Sequence, residues 1–347
     1  MLAYQLLDWQ QPPVLHEVPV PDPGPGEVLV RVGAAGACHS DLHIMEFPAG
    51  AVPWRPPPFT LGHENAGWVA ATGAGVTGFS EGDAVAVYLV WGCGRCKPCS
   101  LSAENLCEHM TEIGYRGGGL GRDGGMAEFM LVPDARLLVP LGDLDPVQAA
   151  PLTDAGLTPY HAIKQALPVL TAEATAVVIG VGGLGHLAVQ ILRATTAARV
   201  IALDISDDKL ANARALGADE ILRSGPDAAQ SVRELTRGVG ADAVFDFIGA
   251  DDTLALAIGI ARSGGHVSIV GLAGGRIPIG YRAMPFETTL VMPYAGTRAE
   301  LIEVLGLAAS GRIRPTIERF TLDEIHDVYR RMREGTLEAR AVVTPDR

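Results

Sequence analysis

Residues 174–204 hold a pattern that few folds can accommodate. AVVIG (176–180) is a short apolar run bounded by a turn, and LGHLAVQILRAT (184–195) spaces its apolar residues as a helix does. Gly180, Gly182, Gly183 and Gly185 lie between them as G-x-G-G-x-G, and Asp204 closes the next apolar run, VIALD (200–204). Glycines at this spacing permit a tight turn and let the backbone approach a pyrophosphate, while the helix start offers oriented N–H groups. A carboxylate at 204 can accept hydrogen bonds from ribose hydroxyls and repels a 2′-phosphate, and Ile205 offers no positive charge to offset it. The expected cofactor is therefore NAD rather than NADP. Glycines that serve only close strand–helix packing are the plain alternative, and Asp204 argues against it.

The rhythm of strand and helix continues through DDKLANARALGA (207–218), AVFDFIG (243–249), DTLALAIGIA (252–261) and HVSIVG (266–271). Strands alternating with helices of this length form a doubly wound parallel sheet. Further dinucleotide contacts are expected from Leu184 in the turn, Lys209 after the second strand, Ile248 and Gly249 after AVFDF, and Val270. Before residue 155 the pattern differs. GEVLVRV (26–32), AGWVAATG (66–73), GDAVAV (82–87) and AEFMLV (127–132) are valine-rich segments between turns, as in an all-β barrel or sandwich. After residue 295 come two helical stretches, a strand near 317–321 and a closing strand ARAVV (339–343). The expectation is an α/β chain of two domains, one over 1–155 and 295–347 and one over 156–294.

All five cysteines sit at metal-like spacings. Cys93, Cys96, Cys99 and Cys107 form C-x2-C-x2-C-x7-C, and four thiolates can close a tetrahedron around Zn²⁺ as a structural site. Redox sensing is the alternative for such a cluster. Cys38 stands alone in ACHSDLH, well before His63 in LGHE, which is what an open catalytic site with a free coordination position would need. A net charge of −13 argues against nucleic acid or an anionic membrane as partner. The longest apolar stretches are broken by glycines, and no secretory leader pattern opens the sequence, so a cytoplasmic location without a membrane partner is expected.

GHENAGWVAATG (62–73) resembles the zinc signature of the medium-chain, zinc-dependent alcohol dehydrogenases. The CHSDLH segment, the four-cysteine lobe (93–107) and the glycine motif follow in that family's order, so the likeness covers essentially the whole chain. PLTDAGLTPYHAI (151–163) and TPYHA…TAVVIGVGGLGH look closest to bacterial NAD-dependent secondary-alcohol dehydrogenases of the actinobacterial type. The resemblance implies a GroES-like catalytic domain, a Rossmann domain, one catalytic and one structural zinc, and a homodimer or homotetramer. Cys38 and His63 match the first two catalytic zinc ligands. The family most often has Cys as the third, where this chain has Asp154; no sixth cysteine exists, and zinc accepts carboxylate oxygen. Glu64, beside His63, is the competing ligand.

The same resemblance gives Ser40 the role of receiving the alcohol proton, which passes through the nicotinamide ribose to His43 and solvent. Asp41 matches a carboxylate that orients the zinc histidine. His39 and Arg340 stand where the family places cations for the pyrophosphate. Trp54, Phe59 and Tyr294 are candidates for a pocket accepting an alcohol or ketone. The implied reaction is hydride exchange between NAD and secondary, with some primary, alcohols. A zinc polyol or threonine dehydrogenase would need a more hydrophilic neighbourhood than Leu42, Trp54 and Phe59 offer. A non-catalytic NAD-binding protein would not need the set Cys38, Ser40, His43 and His63.

Overall fold

The computed structural model describes residues 1–345 and divides into two compact units. The first comprises Met1–Leu157, Thr297–Ala309 and the chain from Pro315 on, and the second Thr158–Gly296 with Ser310–Arg314. That short return, 310–314, packs with the second unit for a visible reason. The buried Gln190 amide donates to the Arg314 carbonyl at 3.0 Å and accepts from the Arg314 N–H at 2.9 Å, so it behaves like a neighbouring strand.

The first unit is built on a seven-stranded sheet. Its order is Leu138–Pro140, Ala84–Val87, Glu64–Thr72, Val28–Gly36, Arg340–Thr344 and Ile317–Thr321, with Phe129–Val132 also pairing to Val28–Gly36. Val28, Val30, Val32, Val69, Val85, Val87 and Val342 are all buried; the valine-rich runs form strands because branched side chains pack well on a pleated, covered surface. Two register pairs decide where chemistry can occur: Gly36 pairs with both Glu64 and Val342. Cys38, His63 and Arg340 are therefore delivered to one end of the sheet by strands far apart in sequence. Only glycine fits at 36, because a Cβ there would lie 1.9 Å from Glu64 Oε2.

The second unit is a six-stranded parallel sheet in the order Glu220–Arg223, Arg199–Asp204, Thr175–Ile179, Ala241–Asp246, Ala261–Ile269 and Thr289–Val291. Numbered along the chain this is 3-2-1-4-5-6, the doubly wound order whose reversal beside the first strand opens a crevice at the strands' carboxyl ends. Val177, Ile179, Ile201, Leu203, Val244, Ala257, Ile260 and Val267 form its core. AVVIG ends as a strand at Ile179, since Gly180 turns to φ +83°. Strand Glu220–Arg223 is short and bounded by charged residues, and the amphipathic helix Ala228–Leu235 follows it. Among the described residues no helix is long and apolar enough to cross a membrane.

Candidate active site and metal centres

The four cysteines of the lobe converge. Their sulfurs lie within 4.8 Å of one another, with Cys93 to Cys99 at 4.0 Å and Cys96 to Cys107 at 3.9 Å. Tetrahedral Zn–S bonds of ~2.3 Å imply sulfur–sulfur edges of ~3.8 Å, so the cage has the dimensions of a zinc site. Backbone N–H groups converge on it as they would on thiolates: Arg95 (3.5 Å) and Cys96 (3.3 Å) donate to Cys93 Sγ, and Cys93 (3.3 Å) and His109 (3.4 Å) donate to Cys107 Sγ. For Cys93, burial disfavours the thiolate, but these N–H donors win and bring the thiol down to about 6. Arg136 ties the lobe to the barrel, donating to the Gly92 carbonyl at 2.6 Å, Glu104 at 3.1 Å and Asp134 at 3.0 Å. Nothing in the local sequence around 136 signals this staple.

A second donor group forms from Cys38, His63 and Asp154, all buried. Asp154 Oδ2 is 3.7 Å from Cys38 Sγ and 3.5 Å from His63 Nε2. Edges of ~3.3–3.6 Å are what S, N and O ligands at ~2.0–2.3 Å from one Zn²⁺ would span. Three donors leave one position of a tetrahedron open. The charge balance also suits a cation. Burial works against a protonated His63, yet the carboxylates of Asp41 and Asp154 outweigh it and hold the ring well above its usual pKa. Asp154 reaches the group from the end of the 3-10 turn Ala150–Thr153, where Thr153 Oγ1 donates to the Ala150 carbonyl at 2.8 Å.

His63 has a buried partner behind it. His63 Nδ1 lies 2.9 Å from Asp41 Oδ1, leaving Nε2 to face Cys38 and Asp154. Asp41 is fixed in turn because it sits at the third position of helix His39–Glu46 and takes the Cys38 N–H at 3.0 Å. Glu64 is outside the donor group. Its Oε1 takes the Ala155 N–H at 3.1 Å, and Arg340 closes on both its oxygens, with Nε at 3.0 Å from Oε2. Burial pushes the Glu64 carboxyl up to about 7 against the pull of Arg340, which donates to it through Nε and one terminal nitrogen. In this arrangement Glu64 holds the backbone next to Asp154.

The remaining candidates fall into place unevenly. Helix His39–Glu46 carries His39, exposed, and Ser40 and His43, half-buried and three residues apart on one side of the helix. Ser40 Oγ is 3.6 Å from Cys38 Sγ. Trp54 is half-buried against Phe47, rings 6.0 Å apart at 67°. Phe59 is buried on strand Phe59–Thr60, edge-on to Trp9 at 6.1 Å, and Tyr294 belongs to the second unit with 42% of its surface exposed. These three are not gathered at one place in the first unit.

In the second unit the turn after Thr175–Ile179 runs into helix Gly185–Thr195 with no room for a side chain at 185, where a Cβ would lie 1.9 Å from the Gly180 carbonyl oxygen. Gly182, Gly183 and Leu184 complete the turn, and the helix N-terminus follows directly. Asp204 ends the adjacent strand; its carboxylate takes the Val181 N–H at 2.9 Å and the Ser206 N–H at 3.0 Å, so it also braces the turn. Ile205 is 71% exposed beside it, and Lys209 lies in the first turn of helix Asp207–Ala215. Ile248 and Gly249 follow strand Ala241–Asp246, and Val270 follows Ala261–Ile269, at the same carboxyl edge.

Purified protein is expected to hold about two zinc ions per chain, and brief chelation should remove one of them, with the activity, before the fold is lost. The closed thiolate cage offers no exchange position, whereas the three-donor site does. Metal analysis during timed chelation checks this; one zinc with full activity would contradict it.

Residues 24–143 match the model of the alcohol dehydrogenase GroES-like domain and residues 183–310 that of the zinc-binding dehydrogenase. The chain is 33% identical to the NAD-dependent alcohol dehydrogenase of Sulfurisphaera tokodaii, over 99% of this chain and 100% of that one. It is also 33% identical to D-arabinose 1-dehydrogenase (NADP(+)) of Saccharolobus solfataricus, over 99% and 97%. Among solved structures, the alcohol dehydrogenase of Aeropyrum pernix superposes with a TM-score of 0.91 at 35% identity, covering 99% and 100% of the two chains. Acetophenone reductase of Geotrichum candidum in complex with NAD gives 0.86 at 32%, covering 99% and 96%. With a closed four-thiolate cage, an open Cys–His–Asp group, a dinucleotide turn and relatives matched end to end, the chain belongs to the medium-chain, zinc-dependent alcohol dehydrogenase family.

Proposed function

We propose that the protein is an NAD-dependent alcohol dehydrogenase that interconverts small secondary alcohols and ketones, with some activity on primary alcohols. The observation that carries the reading is the open donor group Cys38, His63 and Asp154, distinct from the closed cage Cys93, Cys96, Cys99 and Cys107. The first group would hold the catalytic zinc, which supplies a Lewis acid that lowers the pKa of an alcohol hydroxyl. NAD supplies the hydride acceptor, and the protein supplies position and charge.

The chain's own residues manage binding and the proton. Cys38 and Asp154 bring two negative charges to the ligand set, and Asp41 keeps the His63 ring turned so that Nε2 remains a donor. Ser40, its hydroxyl next to Cys38, takes up the proton that the substrate hydroxyl releases. His43, one turn further along the same helix face and half-exposed, exchanges that proton with solvent. Residues 156–294 bind the dinucleotide through the Gly180–Gly185 turn and Asp204. His39 and Arg340 are assigned as positive charges toward its pyrophosphate; for Arg340 this requires sharing the guanidinium with Glu64. Trp54, Phe59 and Tyr294 are assigned to the substrate side, where apolar contacts suit short alkyl groups better than polyols.

The assembly is assigned as a homodimer or homotetramer in the cytoplasm. Strand Thr289–Val291 lies at the edge of its sheet, and Leu272, Ile279, Tyr281, Phe286 and Met292 around it are all more than 60% exposed. Unpaired edges beside an apolar surface favour association. The proposed activity is tested by following NAD⁺ reduction with 2-propanol, 1-propanol and sorbitol. The expected order of kcat/KM is 2-propanol, then 1-propanol, then sorbitol. A preference for sorbitol would replace this reading with a polyol dehydrogenase.

A further inference from the structure

We propose that Tyr329 is a positioning residue for the zinc ligand His63, acting through the Asp41 carboxylate. This rests on the metal site proposed above. Asp41 is fully buried; the Cys38 N–H at 3.0 Å and the Tyr329 hydroxyl at 2.9 Å both donate to its Oδ2, and His63 Nδ1 stands 2.9 Å from Oδ1 in an ion-pair contact. A carboxylate held by one donor can swing about its χ2 torsion, whereas two donors from different directions on Oδ2 pin that oxygen and leave Oδ1 facing His63. The plane of Asp41 sets the direction in which His63 is held, and so where Nε2 points relative to Cys38 and Asp154.

The placement of Tyr329 is built rather than incidental. It lies on helix Ile325–Glu334, on the apolar face with Ile325, Val328 and Met332, and is 1% exposed. Its ring stacks on Tyr4, centroids 5.8 Å apart at 13°, and His326, one turn earlier on the same helix, meets Tyr4 edge-on with its Nδ1 3.3 Å from the Tyr4 hydroxyl. A buried phenol without a partner is costly, so the Tyr329 hydroxyl has one place to go and it goes to Asp41. Tyr4, by contrast, has a phenol at similar depth that reaches His326 instead, which makes it a matched control.

The test is zinc release from the holoenzyme into a chromogenic chelator. The slow loss from the four-cysteine cage serves as internal reference. Losing a direct partner of a ligating histidine typically weakens metal binding ~10–100-fold, so Tyr329→Phe, one bond further out, should speed release from the open site about 3–10-fold. Tyr4→Phe should leave the rate unchanged. In an Asp41→Ala background, Tyr329→Phe should add nothing, a coupling that loss of ring packing would not produce. With cobalt(II) in the open site, Tyr329→Phe should also shift the visible ligand-field bands. Unchanged release and spectrum in Tyr329→Phe would overturn the proposal, as would equal acceleration by Tyr4→Phe or full additivity with Asp41→Ala. An unaltered protein that holds only the cage zinc would overturn the underlying site reading instead.

Discussion

Asp154→Ala is expected to keep the cage zinc and NAD binding while losing the second zinc and nearly all alcohol oxidation. Asp154 supplies one of only three donors in the open group, and its Oδ2 lies within 3.7 Å of both others. A Lewis acid is worth several kcal/mol of transition-state stabilisation and each 1.36 kcal/mol is tenfold in rate, so the fall should reach ~10³-fold or more. NAD binding should persist because the Gly180–Gly185 turn and Asp204 belong to the other unit. Asp154→Cys should restore the metal, since thiolate and carboxylate carry the same charge, with a lower rate from the stronger electron donor. Glu64→Gln should keep zinc and act mainly on stability: the amide oxygen can still accept from Ala155, but Arg340 loses its buried counter-charge, a loss that typically costs ~3–5 kcal/mol. Zinc content and thermal unfolding of the three variants separate these effects. If Glu64→Gln strips the metal and Asp154→Ala retains it, the two carboxylates have exchanged roles.

Coenzyme choice is expected to hinge on Asp204 and Ile205, with kcat/KM for NAD exceeding that for NADP by ~10² or more. A 2′-phosphate would meet the Asp204 carboxylate at the end of Arg199–Asp204, and like charges brought together cost several kcal/mol where each 1.4 kcal/mol is tenfold in affinity. Asp204→Gly with Ile205→Arg should shift the NAD:NADP ratio by ~10²–10³ toward NADP, because it removes the repulsion and adds a phosphate partner at an exposed position. The structure adds a cost. Asp204 also takes the Val181 and Ser206 N–H groups, so the glycine variant leaves the turn less braced and should bind both coenzymes less tightly than the ratio alone suggests. Initial rates with each coenzyme at fixed alcohol measure both quantities. An unaltered protein that uses NADP better would refute this reading of the strand end.

What could be read from the sequence was whatever depends on local spacing. Four cysteines within fifteen residues can share one ion, and a glycine cluster between an apolar strand and helix has one common use, so both were legible without tertiary information. Asp154 was accessible by elimination, from a family position normally held by Cys and a count of five. Helix His39–Glu46 was not marked out, because its eight residues mix two histidines and two acids with few apolar ones. The links behind the ligands were invisible for a different reason. Tyr329 meets Asp41 across 288 residues and Arg340 meets Glu64 across 276, and no pattern along the chain encodes such contacts. The contact of Phe59 with Trp9 is of the same kind, joining two segments that no local spacing links.

These long separations bear on the order in which the chain is made. Every ligand of both metal groups has been synthesised once residue 154 is added, but the strand that pairs with Val28–Gly36 and carries Arg340 is made far later. The same is true of the helix bearing Tyr329. The parallel sheet of the second unit, built almost wholly from the stretch between, can condense earlier from nearer contacts, since loop closure over short separations is entropically cheaper. During synthesis the cysteine cage, with ligands from 93 to 107, is therefore the first metal site that can close, and the open site gains its backing only when strand Arg340–Thr344 is added. Backing of the reactive centre is thus tied to synthesis of the segment from Ile325 to Thr344.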